Sequence, residues 1–264
     1  MDEILIPRPA ATVLPLRDGP KGFEVLMLRR NLRSDFVGGA YVFPGGGVDV
    51  ADSGPPAERL VVGPSDAEAS ERLGIARGGL AYYIACLREL FEEAGLLVVC
   101  DADGHRVDVG DPEAIERLAA HRRHVNDNSL GFLDMMAEER LLLDLRELEY
   151  LAHWVTPIGP PRRFDTRFFV TLAPSGQIAT HDAGETVADT WVRPVDALRA
   201  QSRGEFEMIL PTIKNLEEIQ HFDTAESVLE HARHKVQIPR IEPRIVLDGD
   251  AVRILLPGEE GYEG

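Results

Sequence analysis

The stretch that decides the fold reads Arg88-Glu89-Leu90-Phe91-Glu92-Glu93-Ala94-Gly95-Leu96. It ends a helical pattern that starts at Gly78 or Gly79 and runs to Ala94. Gly95 is the expected stop, because glycine adopts the left-handed backbone of a helix C-terminus without strain. Apolar residues recur in this helix at three- and four-residue steps and form one stripe: Leu80, Ile84, Leu87, Phe91 and Ala94.

Three acidic side chains share one surface of this helix. Glu89, Glu92 and Glu93 stand at i, i+3 and i+4, where like charges repel by roughly a few tenths of a kcal/mol per pair. The last two also lie near the negative end of the helix dipole, which costs a carboxylate roughly 0.3–1 kcal/mol. A divalent cation with oxygen ligands, Mg²⁺ or Mn²⁺, would turn both penalties into binding energy. The alternative is a solvated acidic helix end.

A glycine-rich segment lies upstream of the helix. Ala40–Phe43 has the pattern of a short strand, and Pro44-Gly45-Gly46-Gly47 is expected to end it as a turn. Glycine leaves the backbone uncovered, so carbonyl groups can approach a metal there and nothing hinders a ligand. Arg88 adjoins the acidic cluster and can orient carboxylates through its planar guanidinium.

These segments together resemble the Nudix box, G-x5-E-x7-R-E-U-x-E-E-x-G-U, in which U is aliphatic. The helix matches every fixed position of the second half of the box. Phe43-Pro44-Gly45-Gly46 matches the first half, with Gly46 as the box glycine. The remaining glutamate position falls on Asp52, and 35 residues instead of 7 separate Asp52 from Arg88. An insertion of about 28 residues therefore splits the box.

Further segments narrow the resemblance to the peroxisomal coenzyme A diphosphatase branch of the Nudix hydrolases and its bacterial relatives. They are Arg30-Asn31-Leu32-Arg33, Trp154-Val155-Thr156-Pro157 and Arg163-Phe164-Asp165-Thr166-Arg167-Phe168-Phe169. The resemblance covers roughly residues 10–200. It implies an α/β/α sandwich that hydrolyses a nucleoside diphosphate linked to another moiety, with coenzyme A or acyl-coenzyme A as the favoured substrate.

The resemblance also implies roles for individual residues. Glu89, Glu92 and Glu93, hereafter the box glutamates, are expected to be catalytic and to ligate Mg²⁺ or Mn²⁺. The Gly45 carbonyl is expected to join them as a ligand, and Arg88 is expected to orient them. Metal ions that bridge diphosphate oxygens neutralise charge and lower the pKa of the attacking water.

Three further kinds of residue are considered for the site: a glutamate, several phenylalanines and several arginines. Glu185 lies six residues before Trp191, and the general base stays open between Glu185 and a box glutamate. Phenylalanines within residues 164–169 can stack on a base, although a place in the core is favoured. Arginine matches phosphate in a bidentate fashion, but ion pairs with the many acids explain the arginines equally well. The arginines considered for phosphate binding are Arg30, Arg33, Arg162, Arg163 and Arg167. The expected substrate contacts among them are Arg30, Arg33, Arg163 and Arg167.

Composition limits the partners. The chain has 264 residues, 45 acidic and 28 basic, and a formal net charge of −17. Nucleic acid and anionic membranes are therefore disfavoured, because both require a basic surface. Two cysteines are too few for a disulfide scaffold. With an acidic start and no long apolar stretch, the sequence favours a cytoplasmic protein.

The fold class predicted from the element order is α/β, with a mixed sheet and helices packed around it. We expect a β-hairpin from Ala11 to Leu28, the Nudix domain over 8–202 and an inserted segment at about 53–77. Residues 203–264 are expected to add helices and a terminal hairpin on the same domain. Three segments have no counterpart in the box: the insertion, two polar helices within 112–139, and the tail. Some of them are expected to cap the pocket or to form a homodimer contact.

Two other functions stay open at this point. One is hydrolysis of ADP-ribose, NADH or dinucleotide polyphosphates. The other is a Nudix-fold sensor that binds a nucleotide without cleaving it.

Overall fold

A computed structural model describes residues 5–32, 38–182, 184–248 and 251–262. Its strands are β1 (Arg8–Gly19), β2 (Gly22–Arg30), β3 (Tyr41–Val42), β4 (Gly45–Gly47), β5 (Val61–Val62), β6 (Val99–Cys100), β7 (Leu142–Asp144), β8 (Glu149–Val155), β9 (Phe164–Leu172), β10 (Thr186–Val192), β11 (Arg240–Ile241), β12 (Arg244–Asp248) and β13 (Ala251–Leu255). Its helices are α1 (Pro55–Glu58), α2 (Asp66–Leu73), α3 (Gly79–Ala94), α4 (Pro112–Asn126), α5 (Phe132–Glu139), α6 (Pro194–Ser202), α7 (Leu210–Ile219) and α8 (Ala225–His234), and Val50–Asp52 forms a 3₁₀ turn.

The predicted N-terminal hairpin is confirmed as β1 and β2, which pair antiparallel with Leu16 opposite Val25. Residues 25–28 of β2 are completely buried. Their continuous apolar run follows from a strand that is covered on both faces, where alternation with polar residues is not required. The hairpin is the centre from which the sheet grows.

The main sheet has the strand order β10-β2-β1-β9-β8-β11, with β3 added to β2 and β4 added to β1. Strands β1 and β9 run parallel, as do β8 and β11, whereas the other pairs are antiparallel. This confirms the predicted α/β class with a mixed sheet.

Two hydrophobic cores make the sheet the middle layer of a sandwich. One core joins the sheet to α3 through residues such as Ile84, Leu87 and Phe91. The other joins it to α6, α7 and α8, which contribute Ala197, Leu216 and Leu229 among others. The helices after residue 203 therefore share a core with the strands that precede them. The division at residue 203 stays a prediction.

The glycine turn predicted after β3 is wrong, because residues 45–47 form β4 and pair with residues 10–12 of β1. A Cβ atom on Gly45 would lie 2.5 Å from Thr12 Oγ1 and 2.6 Å from the Ala11 carbonyl oxygen. Only glycine allows the chain to approach β1 this closely. The glycines thus serve the sheet as well as the site.

The inserted segment expected at about 53–77 has regular secondary structure. It contains α1, β5 and α2, and α2 begins with a capping box in which Ser65 and Glu68 bond each other's backbone. Strand β5 joins β7 and β6 in a small second sheet. Helix α2 lies against the start of α3, where a Cβ on Gly79 would be 2.3 Å from the Ser70 nitrogen. The insertion therefore packs against the helix that carries the box glutamates.

Other differences concern lengths and burial. The apolar run at 96–100 forms only the two-residue strand β6, and β9 begins at Phe164. Helices α4 and α5, predicted to be polar, bury Leu118, Phe132 and Met135. Within the described ranges, none of the helices combines the length and apolar composition that a bilayer span requires.

Candidate functional site

The centre of the site is the guanidinium of Arg88, which is buried on α3. Its Nε and Nη2 atoms donate to the two carboxylate oxygens of Asp52 at 2.9 and 3.1 Å. Its Nη1 atom donates to Glu89 at 2.8 Å and to Glu92 at 3.2 Å. Nη2 also donates to the carbonyl of Gly47 at 2.7 Å. One cation thus ties both halves of the split box together.

Asp52 occupies the acidic position of the first half of the box and is only 1% exposed. Besides Arg88, it accepts a 2.8 Å hydrogen bond from the backbone nitrogen of Asp49. The 3₁₀ turn over residues 50–52 carries this backbone close to α3, so the shorter aspartate side chain reaches the arginine fork. In this structure Asp52 is the partner of Arg88.

Strand β4 lies directly against the box glutamates. The backbone nitrogen of Gly45 donates to the Glu93 carboxylate at 3.0 Å. A Cβ atom on Gly46 would lie 2.3 Å from Glu89 Oε1, so the missing side chain is the space that the Glu89 carboxylate occupies. The Gly45 carbonyl as a metal ligand stays a prediction.

Burial shifts the ionisation of all three box glutamates. It raises the pKa of Glu89 to about 7, against the opposing charge of Arg88. It also raises the pKa of Glu92, again opposed by Arg88. The pKa of Glu93 is raised well above its usual range by burial and by the charge of Glu89. When all three box glutamates are ionised, they and Asp52 carry four negative charges, and the Arg88 guanidinium balances one of them.

This donor set fits a hard divalent cation, because carboxylate oxygens are its preferred ligands and its charge would offset the excess. In the described part of the chain, the ligand atoms of the box glutamates do not all come within 4.8 Å of one another. Arg88 bonds both Glu89 and Glu92 and fills the space beside them.

One group of three in the described residues does meet the 4.8 Å distance, namely Asp101, Asp103 and His105. There, Asp101 Oδ1 accepts hydrogen bonds from the backbone nitrogens of Asp103 and His105, each at 2.9 Å. Turn formation alone accounts for this arrangement, since aspartate side chains commonly bond the backbone two residues onward.

Helix α4 holds the end of α3 at which the box glutamates lie. Arg122 Nε and Asn126 Nδ2 donate to the carbonyl oxygen of Glu92 at 2.9 and 3.2 Å. The half-buried Arg122 cation at this helix C-terminus offsets the negative end of the dipole. Gly95 has φ 70° and closes the helix where predicted. Sequence reasoning missed Arg122 and Asn126, because only the tertiary structure shows what a polar helix touches.

A cavity of about 800 Å³ opens beside the box glutamates. Arg30 and Glu185 line it together with Gly45, Arg88 and the box glutamates, so the structure brings most of the predicted site residues to one place. The Glu185 carbonyl accepts a hydrogen bond from the backbone nitrogen of Asn31 at 2.8 Å. This bond fixes the segment that contains Glu185 to the end of β2. The charges of Glu185 and Arg30 both act on Glu93.

The structure does not bring Arg163 and Arg167 to the cavity. Along β9 the alternation of side chains gives the cavity Phe164, Thr166 and Phe168, while Arg167 lies between them in sequence and is buried elsewhere. Arg167 pairs with Asp165 at 2.6 Å, and Arg163 forms an ion pair with Glu242.

For Arg163 and Arg167, the structure therefore supports ion pairing with acidic residues, which is the alternative to phosphate binding. Arg162 lines the cavity, whereas Arg163 and Arg167 do not. Arg33 lies outside the described residues. Among the phenylalanines, Phe169 is completely buried in the core.

Comparisons with known proteins agree with this geometry. A family model described as the NUDT19 Nudix domain matches residues 64–219. The human protein named acyl-coenzyme A diphosphatase NUDT19 is 28% identical over 97% of this chain and 76% of its own length. The Xenopus laevis protein of the same name is 26% identical over 91% of this chain and 71% of its own.

A crystal structure of a NUDIX hydrolase from Alicyclobacillus acidocaldarius gives a TM-score of 0.68 at 28% identity. The match covers 86% of this chain and 97% of that one.

We predict that Gly46→Ala weakens binding of a divalent cation without unfolding the protein. The three atoms nearest to the added Cβ all belong to the end of the flexible Glu89 side chain, which we expect to move away and leave its position. Thermal shifts titrated with Mn²⁺ should show an apparent dissociation constant raised roughly 10–100-fold. Gly47→Ala is the matched control, since nothing lies within 4 Å of its Cβ position. Equal Mn²⁺ affinity for the two variants would contradict the assignment.

We also predict that Glu89 makes the stability of the metal-free protein fall as the pH rises. Its pKa is about 7 in the folded protein against 4.5 ordinarily, so the folded state retains a proton that the unfolded chain releases between these values. The loss is complete above pH 7 and amounts to something on the order of 2–3 kcal/mol.

The measurement is urea unfolding in a chelator at pH 5 and pH 8. The glutamine of Glu89→Gln cannot ionise. From pH 5 to pH 8 the free energy of unfolding of this variant should therefore rise relative to that of the wild type. The exposed Glu116→Gln should track the wild type. If the free energies of unfolding of the wild type and of Glu89→Gln differ by the same amount at both pH values, this account of Glu89 is refuted.

Proposed function

The chain belongs to the Nudix hydrolases of the NUDT19 type, and from this premise we propose that it hydrolyses the diphosphate of coenzyme A or of an acyl-coenzyme A. The observation that carries the proposal is the placement of the box glutamates and Arg88 along one wall of a cavity that also contains Arg30 and Glu185. The names of the human and Xenopus relatives support this substrate class.

Mg²⁺ or Mn²⁺ is the proposed cofactor, held by the box glutamates. When bound, it supplies charge neutralisation of the diphosphate and an acidified water. Arg88 keeps Glu89 and Glu92 in place, and its bond to the Gly47 carbonyl keeps β4 beside them.

Water adds across the phosphoric anhydride, so that one new phosphorus–oxygen bond forms and the bridging oxygen leaves on the other phosphate. The proton lost by the water requires a base. Glu185 and a box glutamate are the candidates, because all of these carboxylates line the cavity. Arg30 is the proposed contact for a phosphate oxygen.

A nucleotide sensor without activity would not require the complete arrangement of Arg88 and the box glutamates. Homodimer formation and a cytoplasmic location stay predictions of the sequence. The net charge of −17 continues to disfavour nucleic acid and anionic membranes as partners.

We predict that Glu92→Gln lowers kcat for coenzyme A at saturating Mg²⁺ by at least roughly 100-fold, because loss of a metal ligand costs more than loss of an outer-shell partner. Glu116→Gln, an exposed glutamate on α4, is the matched control and should retain wild-type turnover. Mass spectrometry of the wild-type products should find 3′,5′-ADP with phosphopantetheine from coenzyme A.

The same assay with ADP-ribose, NADH and a dinucleotide polyphosphate separates the alternatives. A higher kcat/KM for one of these than for coenzyme A and its thioesters would overturn the proposed substrate class. Unchanged turnover in Glu92→Gln would remove the proposed metal site.

A further inference from the structure

The lining of the cavity also includes residues that the catalytic machinery does not use. Residues of the C-terminal segment 203–264, here called the extension, contribute neutral and mostly apolar side chains to it. We name these five residues the apolar wall: Ile209, Leu210, Pro211, Pro243 and Ile254. Facing residues of the sheet and its loops are also largely apolar, among them Trp154, Pro160 and Phe164.

The terminal hairpin exposes apolar surface at this place. Strands β12 and β13 pair with Ile245 opposite Ile254, so both side chains lie on one face of the hairpin. Ile245 is 42% exposed and Ile254 is 51% exposed. Of these two side chains Ile254 lines the cavity, so the hairpin presents exposed apolar surface to a ligand there.

The extension is fastened to the rim of the cavity by a specific set of contacts. Arg163 donates to the Thr156 carbonyl at 3.1 Å and to the Leu5 carbonyl at 2.6 Å, and it pairs with Glu242 of the extension. Tyr262 Oη donates to the Glu242 carbonyl at 2.8 Å. These contacts hold Pro243, which follows Glu242 directly in the sequence, close to the loop at 156–163.

We infer that the extension forms the acyl-binding surface of the cavity, and that the enzyme prefers acyl thioesters of coenzyme A to coenzyme A itself. The inference rests on the proposed function. With the diphosphate at the box glutamates, two arms of the substrate remain to be placed. The adenosine arm carries an ionised 3′-phosphate, which a wall of isoleucine, leucine and proline cannot solvate. The acyl arm ends in a neutral alkyl chain, which gains by leaving water for such a wall.

The test compares kcat/KM for coenzyme A and octanoyl-coenzyme A in the wild type and in three variants. The wild type should favour octanoyl-coenzyme A. Ile254→Ser and Leu210→Ala change the apolar wall on two separate elements. Each should lower the ratio of kcat/KM for octanoyl-coenzyme A to kcat/KM for coenzyme A roughly three- to tenfold. Val252→Ser is the matched control, because Val252 lies two residues before Ile254 on the same strand and outside the cavity lining. Its ratio should equal that of the wild type.

Each failure has a distinct signature. Equal kcat/KM for the two substrates in the wild type, or a ratio unchanged in both wall variants, overturns the acyl-binding surface and leaves the hydrolase in place. Absence of wild-type hydrolysis for both substrates overturns the proposed function together with this inference. Melting curves of the wall variants that match the wild type exclude unfolding as the reason for a changed ratio.

Discussion

The buried guanidinium of Arg88 is the interaction on which the rest of the site depends. It bonds Asp52 and the Gly47 carbonyl on one side of the split box and Glu89 and Glu92 on the other. Removing one partner from a buried charge network leaves the others uncompensated, which is strongly destabilising. The insertion between Asp52 and Arg88 is tolerated because this contact closes the gap in space, however long the chain between them is.

Much of the fold was predictable because its signals are local. Glycine at 95 and the apolar stripe before it fixed the bounds of α3 to within a residue, and the run at 25–28 revealed a strand buried on both faces. The acidic surface of α3 was predictable for a physical reason as well. Repulsion and the helix dipole both oppose it, so its presence indicated a function rather than a contribution to folding.

The remaining features were not predictable because they depend on tertiary contacts. Residues 45–47 have the composition of a turn, and only the proximity of Thr12 makes them a strand. Arg163 and Arg162 are neighbours of the same type, yet one fastens the extension and the other lines the cavity. Nothing in the polarity of α4 indicated that Arg122 would bond the end of α3.

The most direct test of this account is a crystal soaked in Mn²⁺ and measured at the manganese edge. The account predicts an anomalous peak among Glu89, Glu92 and Glu93, lost in a Glu92→Gln crystal. A peak only at the exposed turn of Asp101, Asp103 and His105, or a peak that persists unchanged in Glu92→Gln, would contradict it.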